Sequence, residues 1–188
     1  QIFSDSKTFA DTIPKYSVQT ILNNWLQLES PSSTEEIKDF INKHFAFPSP
    51  CTSHSKGDQT VAEHIEQMWN LLRRPAEEKT SGSLLTLKFP YLIPGGRFRE
   101  IYYWDSYFSA LGLMISGHED LVEHMLNNFF DLQKRFGLIP NGNRSYYTSR
   151  SQPPILSLIV ELLLPVKPKP DVFLAKCLPY LEAEYQFW

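Results

Sequence analysis

Residues 106–137 read SYFSALGLMISGHEDLVEHMLNNFFDLQKRFG, a sequence that predicts two helices joined by a tight turn. The first predicted helix covers residues 106–116 and the second covers residues 120–136. Each is followed by a glycine, Gly117 or Gly137, at the position where a left-handed residue ends a helix. The stretch therefore predicts a helical hairpin.

Further helices are predicted on both sides of this hairpin. On the carboxyl side they cover residues 154–164, ending at Pro165, and residue 171 to the end of the chain. On the amino side three helices follow polar caps, and each carries apolar residues at helical spacing. The caps are Ser17, Ser33 and Thr60. Ser33 and Thr60 each have a glutamate three residues later, Glu36 and Glu63, as in a capping box. Pro31 ends the helix that begins after Ser17. Only residues 83–89 and 144–147 alternate as short strands would, so the sequence predicts an all-α protein.

Helix, tight turn, helix and then a long loop recur in the second half of the chain. This rhythm is typical of helical hairpins in a toroid or solenoid. Two long loops, residues 88–104 and 138–154, each precede a helix. If the hairpins lie side by side, both loops emerge on the same rim.

Composition limits the classes of partner. The chain has 188 residues, 42% hydrophobic and 14% aromatic, which is too apolar for a disordered segment. No apolar stretch is long enough for a transmembrane helix. The net charge of −3 gives no electrostatic reason to expect nucleic acid or an anionic membrane. Cys51 and Cys177 stand far apart, which favours neither a disulfide framework nor a zinc site. An uncharged ligand is therefore favoured.

The first long loop mixes aromatic and charged residues in a way that suits sugar recognition. Residues 94–107 read PGGRFREIYYWDSY, with a Pro-Gly-Gly turn that predicts positive φ and presents Arg97. Aromatic faces can cover the apolar side of a sugar ring while guanidinium and carboxylate groups bond its hydroxyls. Other roles stay open: Arg97 as a turn residue, Asp105 as a helix N-cap, and Arg99 with Glu100 as a solvated or structural pair.

The second long loop has a similar composition. Residues 139–154 read IPNGNRSYYTSRSQPP, in which Asn-Gly is a turn signal that would explain Asn141 without any ligand. Residues 150–152 precede a helix start predicted at the two prolines, where a polar residue is often a cap. Three side chains that can donate to hydroxyls, next to Tyr146 and Tyr147, nevertheless exceed what capping requires.

At these two loops the sequence resembles the trehalases, glycoside hydrolases that cleave α,α-trehalose to two glucose molecules. Residues 94–107 resemble the first signature of the family. Three further segments agree with family motifs in the same order: residues 5–11 (DSKTFAD), 139–147 and 150–154 (RSQPP). The resemblance spans nearly the whole chain and is loosest over residues 45–60 and 165–172.

The resemblance implies an (α/α)6 toroid whose rim loops enclose the disaccharide. Residues 1–188 are then the N-terminal portion of a single catalytic domain of a bacterial-type member, incomplete in this chain. The aromatic end at Phe187 and Trp188 is expected to face the absent remainder of that domain. Residues matching these positions contact the sugar in the family: Arg97, Trp104, Asp105, Asn141, Arg150, Ser151 and Gln152. The resemblance thus favours ligand contact over turn or cap roles for Arg97, Asn141 and Arg150, while Asp105 can serve as both cap and ligand contact.

The resemblance assigns no catalytic residue in this chain. Trehalases invert the anomeric centre, which requires an acid and a base whose carboxyl groups lie about 6.5 to 9.5 Å apart. In the family these groups belong to or follow Gly-Trp-Asp and Gln-Trp-Asp segments, and the only Trp-Asp here is Trp104-Asp105. We therefore expect trehalose hydrolysis by the complete gene product and none by residues 1–188 alone. A non-catalytic carbohydrate-binding or regulatory module is the alternative, and a helical scaffold with aromatic-rich loops is a third possibility.

The resemblance implies no metal and no cofactor, because inverting hydrolysis needs only carboxyl groups and water. The expected partner is the small-molecule substrate, with no nucleic acid and no membrane. In the absence of any suggested cysteine pairing, a cytoplasmic location is expected.

Overall fold

The computed structural model describes residues 2, 3, 5, 7–28, 33–48, 59–78, 80 and 82–188. The predicted all-α class is confirmed. The helices are α1 (Lys7–Ala10), α2 (Val18–Leu26), α3 (Thr34–His44), α4 (Val61–Leu72), α5 (Tyr103–Ile115), α6 (Glu119–Phe136), α7 (Leu156–Leu163) and α8 (Pro170–Phe187). Residues Ser145–Tyr147 and Leu164–Val166 form short 3₁₀ turns. None of the helices in the described part of the chain is long and apolar enough to cross a bilayer.

The predicted amino-terminal helices are confirmed together with their caps. The Ser17 hydroxyl accepts the Thr20 N–H at 3.1 Å at the start of α2. Both predicted capping boxes form, Ser33 with Glu36 before α3 and Thr60 with Glu63 before α4. Residues four positions apart or fewer make these contacts, which is why the sequence alone could locate them. Pro31, the predicted stop of α2, lies outside the described residues.

The carboxyl-terminal helices differ from the prediction at their starts. The helix α5 begins at Tyr103, three residues earlier than predicted, while α7 begins at Leu156 rather than residue 154. The predicted glycine ends are confirmed, since Gly117 and Gly137 have φ values of 76° and 75°. Pro170 occupies the first turn of α8.

Short antiparallel strands join parts of the loops. The pairs are β1 (Ile13–Pro14) with β2 (Phe45–Ala46), and β3 (Arg73–Arg74) with β4 (Tyr91–Leu92). The two segments with a strand-like alternation, 83–89 and 144–147, do not form strands. These two segments share one isolated bridge, between Leu84 and Arg144. The chain then turns away, because the Tyr147 N–H bonds the Arg144 carbonyl at 2.9 Å in a 3₁₀ turn.

The apolar core lies among the last four helices. The helix α5 packs against α6 and α7, and α7 packs against α8. Side chains fully buried there include Leu113, Leu126, Phe129, Leu156 and Cys177. The segment before α5 adds Leu87, Ile93 and Ile101, which are also fully buried.

The helix α8 carries a buried cysteine and ends in exposed aromatic residues. Cys177 is a buried free thiol whose pKa is raised by that burial, whereas Cys51 lies outside the described residues. Phe187 and Trp188, at the end of α8, are exposed, and their rings contact each other edge-on at 5.4 Å.

Candidate functional site

The two long loops lie against each other, as the hairpin arrangement predicted. The Tyr103 N–H bonds the Asn141 carbonyl at 2.9 Å, and the Asn143 N–H bonds the Ile101 carbonyl at 3.3 Å. The Asn143 side chain returns a bond by accepting the Ile101 N–H at 2.9 Å. Because Asn143 is fully buried, these bonds form in a dry environment. The loops are therefore fixed to each other at the amino end of α5.

Gly142 allows this close approach, and its role differs from the predicted Asn-Gly turn. Its φ is not among the positive ones, so left-handed backbone does not explain the glycine. A Cβ atom at Gly142 would instead lie 2.6 Å from the carbonyl oxygen of Ile101. That contact is too short for any L side chain, so the loops touch only because residue 142 has none.

We expect Gly142→Ala to lower the free energy of unfolding by about 1 to 3 kcal/mol, since the added methyl overpacks the contact between the loops. Ser149→Ala is the matched control, because Ser149 is exposed in the same loop. It should change stability by no more than about 0.5 kcal/mol. The midpoints of urea unfolding of the two variants are compared. Equal midpoints would show that the added methyl group does not destabilise the contact between the loops.

Arg97 stands at the tip of the predicted turn. Gly95 and Gly96 have φ values of 99° and 61°, which confirms the positive φ expected of the Pro-Gly-Gly sequence. Gly95 and Phe98 bond each other through their backbones at 3.0 and 3.3 Å. The exposed Arg97 guanidinium lies 5.0 Å from the centre of the Phe98 ring. It forms no hydrogen bond or ion pair with a described residue, so its donors are available to a ligand.

Asp5 lies within electrostatic reach of Arg97. The hydroxyl and N–H of Thr8 hold the pKa of the Asp5 carboxyl below its usual range, with smaller contributions from the Lys7 N–H and the Arg97 charge. The amino-terminal motif, residues 5–11, therefore stands beside the first loop, although the two are remote in sequence.

Trp104 and Asp105 lie on the first turn of α5. The Trp104 side chain is 40% exposed, and its ring packs edge-on against Phe108 at 5.3 Å. Asp105 is half-buried and bonds no described residue. The alternative of Asp105 as an N-cap is wrong, because the cap position of α5 is Tyr102. Within the first turn, the carboxylate still faces the positive end of the helix.

Asn141 presents an unsatisfied oxygen. Its backbone is fully engaged, since its N–H bonds the Arg150 carbonyl at 3.1 Å and its carbonyl accepts from Tyr103. Its side-chain Oδ1 is buried and has no hydrogen-bond partner among the described residues. A buried acceptor without a donor costs about 1 to 3 kcal/mol. A hydroxyl donor from a ligand would remove that cost.

Residues 150–152 do not cap the helix that they precede. The cap position of α7 is Ile155, and no side chain bonds there. Gln152 instead caps α5, because its Oε1 accepts the Trp104 N–H at 2.9 Å. This bond satisfies a free N–H of the first turn and explains why α5 starts earlier than predicted.

Arg150 and Ser151, which precede Gln152, differ in whether their donors are already hydrogen-bonded. Arg150 is exposed, and its guanidinium lies 5.0 Å from the centre of the Tyr147 ring. Ser151 donates to the Gln152 carbonyl at 3.2 Å. The planar Arg150 side chain is therefore held by an aromatic ring, with its donors left for a ligand.

A buried ionic cluster beneath the loops was not predicted. We define it as Lys7, Asp11, Glu100, Arg144 and Tyr146. Lys7 Nζ lies 2.6 Å from Asp11 and 2.8 Å from Glu100, and Arg144 Nε lies 2.9 Å from Glu100. The four charged side chains are at most 10% exposed. Glu100 is fully buried between Lys7 and Arg144, so its role is structural rather than solvated, with these two cations and not Arg99 as its described partners.

The cluster connects three segments that are far apart in sequence. Its two cations balance its two anions, and the Tyr146 hydroxyl donates to Asp11 at 2.7 Å. Burial, followed by this bond to Asp11, raises the pKa of Tyr146, so the phenol stays protonated. The helix α1 is thereby attached to both long loops. Only the Lys7 and Asp11 spacing of four residues was visible in the sequence.

The two joined loops carry groups of the kind that bind neutral polyols. They have two guanidinium groups, one aromatic face and one carboxylate, on Arg97, Arg150, Trp104 and Asp105, and the unsatisfied but buried amide oxygen of Asn141. Such groups bond vicinal hydroxyls and cover an apolar ring face. No group of three or more potential metal ligands occurs among the described residues.

Comparisons with known proteins match this chain to trehalases. A family model described as Trehalase matches residues 1–188. The periplasmic trehalases of Escherichia coli O1:K1 / APEC and Shigella flexneri serotype 5b (strain 8401) are each 43% identical over 190 residues, covering 100% of this chain and 33% of each relative. The chain thus spans about a third of the length of the curated relatives it matches. The solved structure of neutral trehalase Nth1 from Saccharomyces cerevisiae matches with 29% identity and a TM-score of 0.48, covering 70% of this chain and 26% of that one.

The expected cellular location and the expected fold class can now be compared with these findings. The relatives are named as periplasmic, so a cytoplasmic location finds no support in them. The helical hairpins agree with the predicted class, an all-α chain of the (α/α)6 toroid type. Because the family model matches residues 1–188 and the relatives align with all of this chain, the chain belongs to the trehalase family.

Proposed function

We propose that the gene product carrying this chain hydrolyses α,α-trehalose to two glucose molecules, and that this chain supplies sugar-binding loops. The proposal rests on one observation above all. In a member of the trehalase family, the two joined loops carry the guanidinium groups of Arg97 and Arg150, which pair with no described carboxylate, and the buried, unsatisfied oxygen of Asn141.

Each proposed contact follows from the chemistry of its side chain. The guanidinium groups of Arg97 and Arg150 donate to sugar hydroxyls, while Asn141 Oδ1 and the Asp105 carboxylate accept from them. The exposed Trp104 ring covers the apolar face of a glucose unit. Ser151, whose hydroxyl proton already bonds the Gln152 carbonyl, accepts from a sugar hydroxyl, and the Gln152 amide group donates to one.

The bond-breaking step is proposed to use carboxyl groups outside residues 1–188. Inversion needs an acid that protonates the bridging oxygen and a base that activates water. Residues 1–188 contain neither the Gly-Trp-Asp nor the Gln-Trp-Asp segment of the family. We therefore propose that this chain binds and orients the disaccharide, that it is the N-terminal portion of one catalytic domain, and that it is inactive alone. No cofactor takes part.

The compartment proposed for the gene product is the periplasm, because the relatives with 43% identity are periplasmic trehalases. Cell fractionation with an antibody against this chain tests the compartment. Recovery with cytoplasmic marker proteins would contradict it.

Glucose release from trehalose tests the proposed activity. We expect the purified gene product to release glucose from α,α-trehalose and to leave maltose, which also contains two glucose units, largely uncleaved. The test is a coupled glucose assay with both disaccharides at equal concentration. Binding of trehalose without glucose release would contradict the proposal and favour the non-catalytic carbohydrate-binding module. An unchanged Trp104 fluorescence on adding trehalose would favour a helical scaffold.

A further inference from the structure

Glu184 is a buried carboxyl group that the proposed sugar contacts do not use. It lies on α8 and is 8% exposed. Its Oε1 accepts a hydrogen bond from the hydroxyl of Tyr103, a fully buried residue at the start of α5. No lysine, arginine or histidine forms an ion pair with it among the described residues. A buried acid of this kind needs a specific reason to be tolerated.

Tyr103 connects Glu184 to both long loops. Its hydroxyl also accepts the N–H of Ile155 at 3.1 Å, at the end of the second loop. Its backbone N–H bonds the carbonyl of Asn141 at 2.9 Å. Trp104 follows directly in the chain and bonds Gln152 at 2.9 Å. One tyrosine therefore touches both loops, and Glu184 fixes the far end of its side chain.

The ring of Tyr103 leaves little room for another position. It packs edge-on against Phe129 of α6 with 5.1 Å between ring centres. Burial raises the pKa of Glu184, while the hydrogen bonds from Tyr103 and the Leu156 N–H oppose that rise. Glu184 therefore acts by accepting hydrogen bonds and does not need a negative charge. A neutral amide of the same shape could replace it.

We propose that Glu184 is a positioning residue for the sugar site, acting through Tyr103 to hold Trp104 and Asn141 in place. The proposal rests on the trehalose-binding function proposed above. Loss of the acceptor releases the Tyr103 hydroxyl, and the start of α5 then shifts relative to the second loop. A displacement of about 1 Å at a binding site can lower activity by about 100-fold.

Trehalose kinetics of three variants of the gene product test this role. Glu184→Leu removes the acceptor, and we expect kcat/KM to fall by about 10- to 100-fold, mostly through a higher KM. Glu184→Gln keeps an acceptor oxygen in the same place and should stay within about threefold of the wild type. Glu182→Leu changes an exposed acid on the same helix and should leave both constants within about twofold of the wild type.

Two results would overturn the proposal. One is a folded Glu184→Leu variant with unchanged KM and kcat. The other is a Glu184→Gln variant as impaired as Glu184→Leu, because hydrogen-bond acceptance would then not be the function of this group. If Glu184→Leu does not fold, Tyr103→Phe removes the same bond from the other partner. It should raise KM in the same way, and an unchanged KM would count equally against the proposal.

A measurement without sugar separates this proposal from the proposed function. Trp104 emission, obtained as the difference between each protein and its Trp104→Phe counterpart, reports the position of the loop. It should shift in Glu184→Leu and match the wild type in Glu184→Gln. If wild-type protein does not hydrolyse trehalose, the proposed function fails, and this emission still decides whether Glu184 positions Trp104. An unshifted emission in Glu184→Leu would reject that positioning role.

Discussion

Arg97→Ala in the gene product is expected to lower kcat/KM for trehalose by about 10- to 150-fold, the effect of losing a charged hydrogen bond worth about 1.5 to 3 kcal/mol. The Arg97 side chain is exposed at the tip of a rigid turn and is not needed for any ion pair with a described residue. Its removal should therefore leave the fold intact. We therefore expect the loss to arise from weaker sugar binding, the role proposed for Arg97.

The controls for Arg97 separate charge from geometry. Arg97→Lys keeps the charge and loses the planar pair of donors, so its kcat/KM should fall between that of the wild type and that of Arg97→Ala. Arg73→Ala removes an exposed arginine that pairs with Asp120 at 3.9 Å, and it should change kcat/KM by less than about twofold, the effect of an ordinary surface substitution. Arg97→Ala with near-normal turnover would remove the binding role from Arg97.

Arg144→Met is expected to lower the free energy of unfolding of the gene product by about 3 to 5 kcal/mol. Arg144 lies 2.9 Å from Glu100 and 3.6 Å from Asp11, and its removal leaves two buried carboxylates with Lys7 as their only cation among the described residues. An uncompensated buried charge has this large cost because it has lost both water and its partner.

Arg135→Met is the matched control for the ionic cluster. Arg135 pairs with Asp131 at 3.4 Å and donates to the Thr86 carbonyl at 2.8 Å, and its side chain is 32% exposed. Surface ion pairs contribute about 0 to 1 kcal/mol, so this variant should unfold at nearly the wild-type urea concentration. Equal unfolding midpoints for Arg144→Met and Arg135→Met would mean that the cluster does not hold α1 to the loops.

Local signals made most of the helices predictable. The capping boxes at Ser33 and Thr60 and the glycine ends at Gly117 and Gly137 involve residues a few positions apart. The starts of α5 and α7 were wrong because distant residues decide them. Gln152 caps α5 from the other loop, and the Tyr103 hydroxyl holds the Ile155 N–H outside α7.

The candidate site was predictable as two loops and unpredictable as a three-dimensional network. Composition and the family resemblance located residues 94–107 and 139–154, which the structure brings together. The partners of Glu100 are 93 and 44 positions away in sequence, at Lys7 and Arg144, and no spacing rule connects them. The bond from Tyr103 to Glu184 spans 81 positions and was missed for the same reason.

Early-time proton NMR of trehalose hydrolysis by the wild-type gene product gives the decisive result. Both anomeric carbons of the substrate are α, and inversion changes only the one that water attacks. We expect α-glucose and β-glucose to appear in equal amounts before mutarotation mixes them. Release of α-glucose alone, or no release of glucose, would rule out the proposed inverting hydrolysis.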